Sequence, residues 1–430
     1  MVALALIPPW QQPDEATHVA RAELHRNRIA LLDGSLDAAR EGEILQSMAR
    51  YEWWEHRSPG FETPVVIPKN FLSTDRRAAV PAAAVVTPLV YSLIAGRLLS
   101  WLPRQSVVED LYFLRTMSAA FGMLTLWVTW LGARECLGAR GGVTVAALFA
   151  LHPQFAIVST AATPDVIVNL LGAFIWWQTS LAVKRTHFLL PLISLWVAAI
   201  AAAAADRMGV PLLAVALVVL VAVLALRVPF RNRRALVTVP CAALLGLILF
   251  GTAMWALEAF GETYGWGRVF SGKLAPVPGA MTWSSFIRFT WFLHQSWWFS
   301  LGWRPYLPPF WWTTLAVMLT AVASFGIGRR LFRDKELDAE TRTLVALGIV
   351  AIAVQAFAVY WTYFRLGNGA QGRYLFPFIV PSLVLLWSGV EAWVPRSRRA
   401  YAAGALVLLF ALLDAVAWSW VAIPAYYASF

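Results

Sequence analysis

Charged side chains are scarce in this chain of 430 residues. Lysine, arginine, aspartate and glutamate make up 14% of it, against 59% hydrophobic residues and a mean hydropathy of +0.62. Soluble globular domains carry about 25% charged residues. This scarcity excludes a soluble domain and indicates an integral membrane protein.

Cysteine is nearly absent, since Cys136 and Cys241 are the only two. They show neither a disulfide pattern nor metal-ligand spacing, so we expect no disulfide. The formal net charge is +11, which could suggest nucleic acid, but the lysines and arginines form short clusters between apolar runs. That pattern is the topological signal of a membrane protein and argues against a nucleic-acid partner.

Apolar runs of bilayer-spanning length predict an all-α polytopic bundle of about 10–11 transmembrane helices. Residues 1–7 are too short to cross and lack the basic start of a signal peptide, so residues 1–9 are interpreted as the end of a partial first span. A further apolar run, residues 81–102, contains two prolines and favours a juxtamembrane helix. The predicted spans are 115–133, 142–160, 165–183, 188–205, 209–226, 235–257, 309–328, 343–363, 374–393 and 400–421.

Basic residues occupy every second connection between these spans, and the positive-inside rule assigns those connections to the cytoplasm. If the region after the first apolar run is extracytoplasmic as well, parity requires that residues 81–102 do not cross. The basic clusters lie near residues 134–140, 184–185, 227–234, 329–335 and 396–399. The predicted division is a partial span (1–9), an extracytoplasmic loop (10–114), spans (115–257), a Trp-rich extracytoplasmic loop (258–308) and C-terminal spans (309–430).

The densest group of ionisable side chains directly follows the first apolar run. Pro13 suits the first turn of a helix, and the helix dipole favours Asp14 and Glu15 there. Asp14, His18 and Arg21 are spaced i, i+4 and i+7, so their side chains can share one face of that helix. The group fits either a good helix start on a wet loop or a functional site.

Asp165 and the Trp-rich loop belong to the same predicted side of the membrane. Asp165 follows Pro164 at the start of a span, where a carboxylate is either functional or a helix cap. The loop holds many tryptophans, among them Trp303, together with His294. Such residues fit an interfacial aromatic belt, but indole faces beside carboxylates also suit sugar rings.

A glycine-rich segment opens a late span on that side, with Arg365 just before it and Arg373 and Tyr374 at its end. Glycines let the backbone approach a ligand closely. Arg373 could bind a phosphate with two parallel hydrogen bonds, or it could extend toward lipid headgroups from a flexible turn. Both interpretations remain open from the sequence.

Taken together, these motifs resemble a largely uncharacterised bacterial group in the GT-C superfamily of membrane glycosyltransferases. The resemblance implies a GT-C-like helical bundle with juxtamembrane helices in the first extracytoplasmic loop of a plasma-membrane protein. It also implies sugar transfer from a polyprenyl-phosphate or polyprenyl-diphosphate donor. The motifs are Pro13-Asp14-Glu15-x-x-His18, Thr87–Tyr91, Thr163-Pro164-Asp165 with Asn169, Ser300–Trp303 near Pro308-Pro309, and Gln371–Pro377.

The resemblance also implies roles for individual residues. Asp14 or Glu15 would be the catalytic base, with Asp165 as a second carboxylate. Arg373 would hold the donor phosphate, helped by Arg365, Arg21 or Lys69. The sugar or acceptor would be contacted by His18, Trp303, His294 and Tyr374. Glu15, His18 and Asp165 could instead ligate a divalent ion such as Mg or Mn.

The expected function is therefore transfer of a sugar from a polyprenyl-phosphate-linked donor to a lipid- or glycan-type acceptor. The alternative is a transporter or flippase of a lipid-linked or anionic envelope precursor. Such a protein would carry ionisable residues at mid-membrane and duplicated halves with broken helices. The predicted spans are nearly free of charge, with Asp414 as the main exception, and no duplication stands out. This favours the enzyme.

Overall fold

The computed structural model describes residues 2–26, 38–57, 62–63, 65–67, 90–227, 282–302, 306–333, 338–366 and 371–427. Most of these residues are helical, and their only β-type contact is an isolated bridge between Leu301 and Tyr306. The helices are α1 (Val2–Leu6), α2 (Glu15–Arg26), α3 (Ala38–Arg50), α4 (Trp53–Arg57), α5 (Val90–Leu99), α6 (Val107–Ala150), α7 (Pro153–Val158), α8 (Asp165–Lys184), α9 (Leu189–Ala205), α10 (Val210–Arg227), α11 (Trp283–Trp298), α12 (Phe310–Arg333), α13 (Ala339–Leu366), α14 (Ile379–Glu391), α15 (Arg399–Val416) and α16 (Ile423–Tyr427). Short 3₁₀ turns precede α10, α14 and α15.

Seven helical segments of the described residues are long and apolar enough to cross a membrane. They are Val107–Ala150, Asp165–Lys184, Arg207–Arg227, Phe310–Phe332, Ala339–Phe364, Gly372–Glu391 and Arg396–Tyr427, and the shorter α9 is apolar throughout. The predicted all-α polytopic membrane architecture is confirmed. The predicted span 235–257 and most of the Trp-rich loop lie outside the described residues.

The 44-residue helix α6 contains two predicted spans that fold back on each other. Gly138 lies between them with φ 76°, a left-handed conformation that glycine adopts without a steric penalty. A Cβ placed on Gly142 would lie 2.9 Å from the Cα of Arg134, so the chain reverses at this point. The first leg begins at Val107 behind a Ser106–Glu109 capping box, eight residues before the predicted start at residue 115.

The basic connections meet at one end of the bundle. Arg185 pairs with Glu135 at 2.9 Å, and the Lys184 ammonium donates to the carbonyl of Cys136 at 3.2 Å. Arg227 pairs with Glu340 at 2.8 Å. These contacts bring together connections that the charge pattern had assigned to a single face, as the positive-inside rule predicts.

The first loop forms a separate small core at the opposite end. Trp10 and Trp54 are fully buried there with apolar residues of α2, α3, α5 and the start of α6. Arg26 and Arg40 both bind Asp110 of α6, and Arg40 also binds Glu23 of α2 at 2.9 Å. The helix α5 lies within the 81–102 run and packs on α2, and its 10 described residues are too few to cross a bilayer by themselves.

Candidate functional site

Asp14 occupies a strained turn that leads into α2. Its φ is 67°, a left-handed value that aspartate tolerates better than most residues. Its carbonyl accepts the first hydrogen bond of the helix, from the His18 amide at 3.0 Å. The carboxylate remains 38% exposed, so it lies at the opening of the site and not in its floor.

Arg373 lies between the two predicted carboxylates Asp14 and Asp165. Its guanidinium approaches the Asp14 carboxylate at 3.1 Å and the Asp165 carboxylate at 3.6 Å, and its Cζ lies 5.2 Å from the centre of the Tyr374 ring. Only 5% of the Arg373 side chain is exposed. The three residues are far apart in sequence, and the structure brings them together.

The backbone around Arg373 is set by close packing. Residues Gly372–Phe378 form a 3₁₀ turn, and the Gly372 amide donates to the Ser296 hydroxyl at 2.9 Å. A Cβ on Gly372 would lie 2.0 Å from the backbone nitrogen of Trp297, so only glycine fits at this contact. Helix α8 approaches the same turn through Gly172, whose added Cβ would lie 2.0 Å from the Pro377 carbonyl oxygen.

Several polar atoms at this site lack a hydrogen-bond partner among the described residues. They include the Arg373 Nε, the Asp165 Oδ2 and the Asn169 Nδ2. Asn169 lies one turn after Asp165 on α8, on the side that carries Gly172 toward the 3₁₀ turn. Buried polar atoms in native proteins are almost always paired, so these atoms are suited to a ligand or to ordered water.

His18 and Arg21 extend the charged cluster along α2. Burial lowers the pKa of His18 to about 4, although the nearby Asp14 acts in the opposite direction, so the imidazole is neutral at pH 7. Burial lowers the pKa of Arg21 to about 10, and the charge of Asp206 partly offsets this. Burial also raises the pKa of Asp206. The site therefore offers a neutral imidazole beside charged groups of both signs.

Glu15 differs from Asp14 in the residue with which it pairs. Its two oxygens accept from Arg115 at 2.8 and 2.7 Å, and the side chains of both residues are 0% exposed. A carboxylate held in this way is not free to take a proton from an acceptor. The sequence left Asp14 and Glu15 as equal candidates for the base, and the geometry favours Asp14.

The expected metal ligands Glu15, His18 and Asp165 are not gathered into one group in the described residues. No group of three or more His, Cys, Asp or Glu side chains with suitable geometry occurs in the described part of the chain. The physical reason is the pairing of Glu15 with Arg115, which occupies both carboxylate oxygens. Binding of a divalent ion by Glu15, His18 and Asp165 stays a prediction.

The remaining predicted residues are distributed differently. His294 lies on α11, where its Nε2 contacts the Thr320 hydroxyl at 3.2 Å, and it lines an apolar groove instead of the charged cluster. Trp303 and Lys69 lie outside the described residues. Arg365 lies near the end of α13, but its side chain is outside the described part of the structure.

Sequence reasoning missed two residues that the structure places at the site. Asp206 precedes the 3₁₀ turn before α10 and accepts from the Met208 amide at 2.8 Å, within electrostatic range of Arg21, Arg373 and Asp14. Arg115 lies inside the first leg of α6. The sequence indicated its importance, because Arg115 has apolar residues on both sides. A charged side chain in a membrane segment is costly unless it is paired.

Comparisons with known proteins give one distant structural likeness. No family model matches the sequence, and no curated protein matches it. The fold is similar to the crystal structure of ArnT from Cupriavidus metallidurans in the apo state, with a TM-score of 0.45 and 14% sequence identity. The match covers 89% of this chain and 60% of that chain, so this chain spans less than two thirds of its length.

Proposed function

We propose that this protein is a membrane glycosyltransferase that moves a sugar from a polyprenyl-phosphate-linked donor to a lipid- or glycan-type acceptor. The observation that carries the proposal is the contact of Arg373 with both Asp14 and Asp165 at one end of a membrane bundle. A guanidinium suits a phosphate group, and carboxylates suit an acceptor hydroxyl and a sugar. Sugar transfer from a lipid phosphate needs both functions at one site.

Asp14 is the base in the proposed reaction. It takes the proton of the acceptor hydroxyl, whose oxygen forms a new bond to the anomeric carbon. The bond from that carbon to the phosphate oxygen breaks, and polyprenyl phosphate leaves with the electron pair. Well-placed proton transfer contributes about 10²–10⁴-fold to such a rate. Arg373 stabilises the charge that develops on the leaving phosphate.

An apolar groove beside Arg373 supports a donor with a long hydrocarbon chain. The groove has a volume of about 540 Å³ and lies between α11, α12, α13 and α14. Its lining includes Leu375, two residues after Arg373, and Leu386 of α14. A phosphate at Arg373 could therefore place an attached prenyl chain in the groove without crossing the charged cluster. His294 lies on this wall and would contact the chain or the donor headgroup.

The active face is proposed to be extracytoplasmic, in the plasma membrane of a bacterium. The support is the separation of charges along the bundle, because the basic connections meet at the end opposite to Asp14 and Asp165. The positive-inside rule assigns that basic end to the cytoplasm. The donor, the acceptor and the surrounding lipids would then meet at the outer leaflet.

The proposal is tested with the purified protein in lipid nanodiscs and a panel of polyprenyl-phosphate hexoses and pentoses, with envelope lipid extract as the source of acceptor. Mass spectrometry measures the free polyprenyl phosphate that each reaction releases. Wild-type protein should release it, and Asp14→Asn should reduce the rate by about 10²-fold or more. Reactions with EDTA, Mg and Mn show whether a divalent ion contributes.

Asp338→Asn is the matched control, because it is the same substitution at the basic end of the bundle. Asp338 caps α13 by accepting from the Thr341 amide at 2.6 Å, and asparagine caps a helix equally well. This variant should keep the wild-type rate. Full activity of Asp14→Asn would overturn the proposed chemistry. A protein that moves the labelled lipid across a vesicle membrane without releasing polyprenyl phosphate would instead be a flippase.

A further inference from the structure

The buried ion pair of Arg115 and Glu15 uses most of the hydrogen-bond donors of the arginine. Beyond its two bonds to Glu15, the Arg115 guanidinium donates to the carbonyls of Ile7 at 2.7 Å and Pro8 at 2.9 Å. Four of its N–H groups are thereby used. An arginine inside a membrane-spanning segment is costly unless it is paired, and such residues are usually functional.

This pair connects the turn that carries Asp14 with the loop that carries Asp165. On one side, Glu15 accepts from the Gln12 amide at 3.4 Å, within the turn. On the other side, it accepts from the Ala162 amide at 3.4 Å, three residues before Asp165. The Gln12 side chain adds a second link between the same segments, since its Nε2 lies 3.4 Å from the Thr160 hydroxyl.

Stability alone gives a poor account of such a pair. Replacing a buried ion pair with well-packed apolar residues is often neutral or stabilising, because desolvation offsets the attraction between the charges. The turn that the pair holds, however, contains two left-handed residues that are not glycine, Trp10 at φ 70° and Asp14 at φ 67°. Such conformations persist only where the surroundings impose them. Arg115 supplies that constraint through its bonds to Ile7, Pro8 and Glu15.

We propose that Arg115 is a positioning residue that acts through Glu15 to fix Asp14 relative to Asp165 and the acceptor. The inference rests on the proposed function, in which Asp14 is the base. Arg115 itself does not touch the substrate, because its side chain is wholly enclosed by Glu15, the Ile7–Pro8 backbone and the Tyr112 ring, whose centre is 5.5 Å from the guanidinium carbon.

The test compares Arg115→Gln, Arg115→Lys and Glu15→Gln in the same nanodisc assay. We expect Arg115→Gln to lower kcat about 10²-fold, the size of effect that a displacement of about 1 Å produces. The KM for the polyprenyl-phosphate sugar should change less than about threefold, because Arg373 is untouched. Arg115→Lys should recover part of kcat, since an ammonium keeps the charge but not the forked geometry.

Hydrogen exchange provides a readout that does not depend on turnover. Backbone amides of residues 7–15 should exchange faster in Arg115→Gln and Glu15→Gln than in wild type, and Asp14→Asn should leave them unchanged. Arg330→Gln is the matched control, because Arg330 also pairs with a glutamate and a carbonyl, Glu391 and Ser388, but at the basic end of the bundle. It should change neither kcat nor exchange in this segment.

Unchanged exchange in residues 7–15, or a wild-type kcat in the folded fraction of both Arg115→Gln and Glu15→Gln, would overturn the positioning role. If Arg115→Gln fails to fold, Glu15→Gln decides the question, since it keeps the side-chain volume and an acceptor oxygen. Full activity of Asp14→Asn would show that Asp14 is not the base. The exchange data would still show whether the Arg115–Glu15 pair orders residues 7–15. The two failures are therefore distinguishable.

Discussion

Replacing Arg373 with glutamine removes the guanidinium that lies 3.1 Å from Asp14 and 3.6 Å from Asp165. Two consequences follow in the proposed mechanism. The departing phosphate loses the cation that would stabilise it, and two nearby carboxylates lose the charge between them. The substitution keeps a polar side chain of similar reach, so it tests charge and forked geometry more than packing.

The expected loss can be scaled from comparable sites. Removing one preorganised donor to a developing negative charge costs about 10²–10³-fold in kcat, or roughly 3–4 kcal/mol. Because Arg373 also faces the phosphate in the bound state, KM for the donor should rise as well. Arg373→Lys retains a positive charge without the two parallel donors, so its loss should be smaller, about tenfold.

The assay measures release of free polyprenyl phosphate by the purified variants, together with thermal unfolding of each. A second substitution separates the two consequences. Adding Asp165→Asn to Arg373→Gln removes one of the two unpaired carboxylates, so the thermal midpoint should recover part of its loss. Activity should stay low, because the phosphate still lacks its cation.

Two results would refute this reasoning. A wild-type rate for Arg373→Gln would remove Arg373 from the chemistry. Recovery of activity in the double variant with Asp165→Asn would mean that Arg373 only neutralises the carboxylates, and the phosphate would then have to bind elsewhere.

Three further outcomes are expected. Gly172→Ala should lower both stability and activity, because its Cβ would meet the Pro377 carbonyl at 2.0 Å and push α8 away from Arg373; a thermal midpoint and rate equal to wild type would contradict the packing. Burial lowers the pKa of His18 to about 4, so between about pH 6.5 and pH 4 the unfolded chain binds a proton at this residue and the folded chain does not. The free energy of unfolding should therefore decrease as the pH falls through this range, by at most about 1.4 kcal/mol per pH unit. His18→Gln should fall less steeply, which unfolding scans at pH 5 and pH 7.5 would measure. Ala356→Trp should fill the apolar groove and raise KM for long-chain donors more than for short-chain ones, and equal effects would argue against a prenyl chain there.

Much of the architecture could be predicted from the sequence, because hydropathy and loop charge are local properties. Each of the seven described spans overlaps an apolar run that was predicted to cross the membrane. The basic connections, which the alternation of charge assigned to one face, lie together at one end of the bundle, where Glu135 pairs with Arg185 and Arg227 pairs with Glu340. The helix start at Val107 was missed, since Glu109 and Asp110 made that turn look like loop. The Ser106–Glu109 capping box was the available signal.

The candidate site was only partly predictable, because the role of a carboxylate depends on its partner. Adjacent residues Asp14 and Glu15 look equivalent in sequence, yet one faces Arg373 and the other is enclosed by Arg115. No spacing rule connects Glu15 with a residue 100 positions away, or Asp14 with one 359 positions away. For the same reason, the sequence did not predict that Asp206 lies near Arg21 and Arg373.

The sequence by itself determined that this is a multi-pass helical membrane protein, which connections share a face, and which ionisable residues gather on the other face. Those properties follow from the free energy of moving each side chain between water and hydrocarbon, which is set residue by residue. Only the tertiary structure decided that Arg373 stands between Asp14 and Asp165 and that Arg115 encloses Glu15. Burial and charge pairing arise where distant segments meet, and they exist only after the helices have packed.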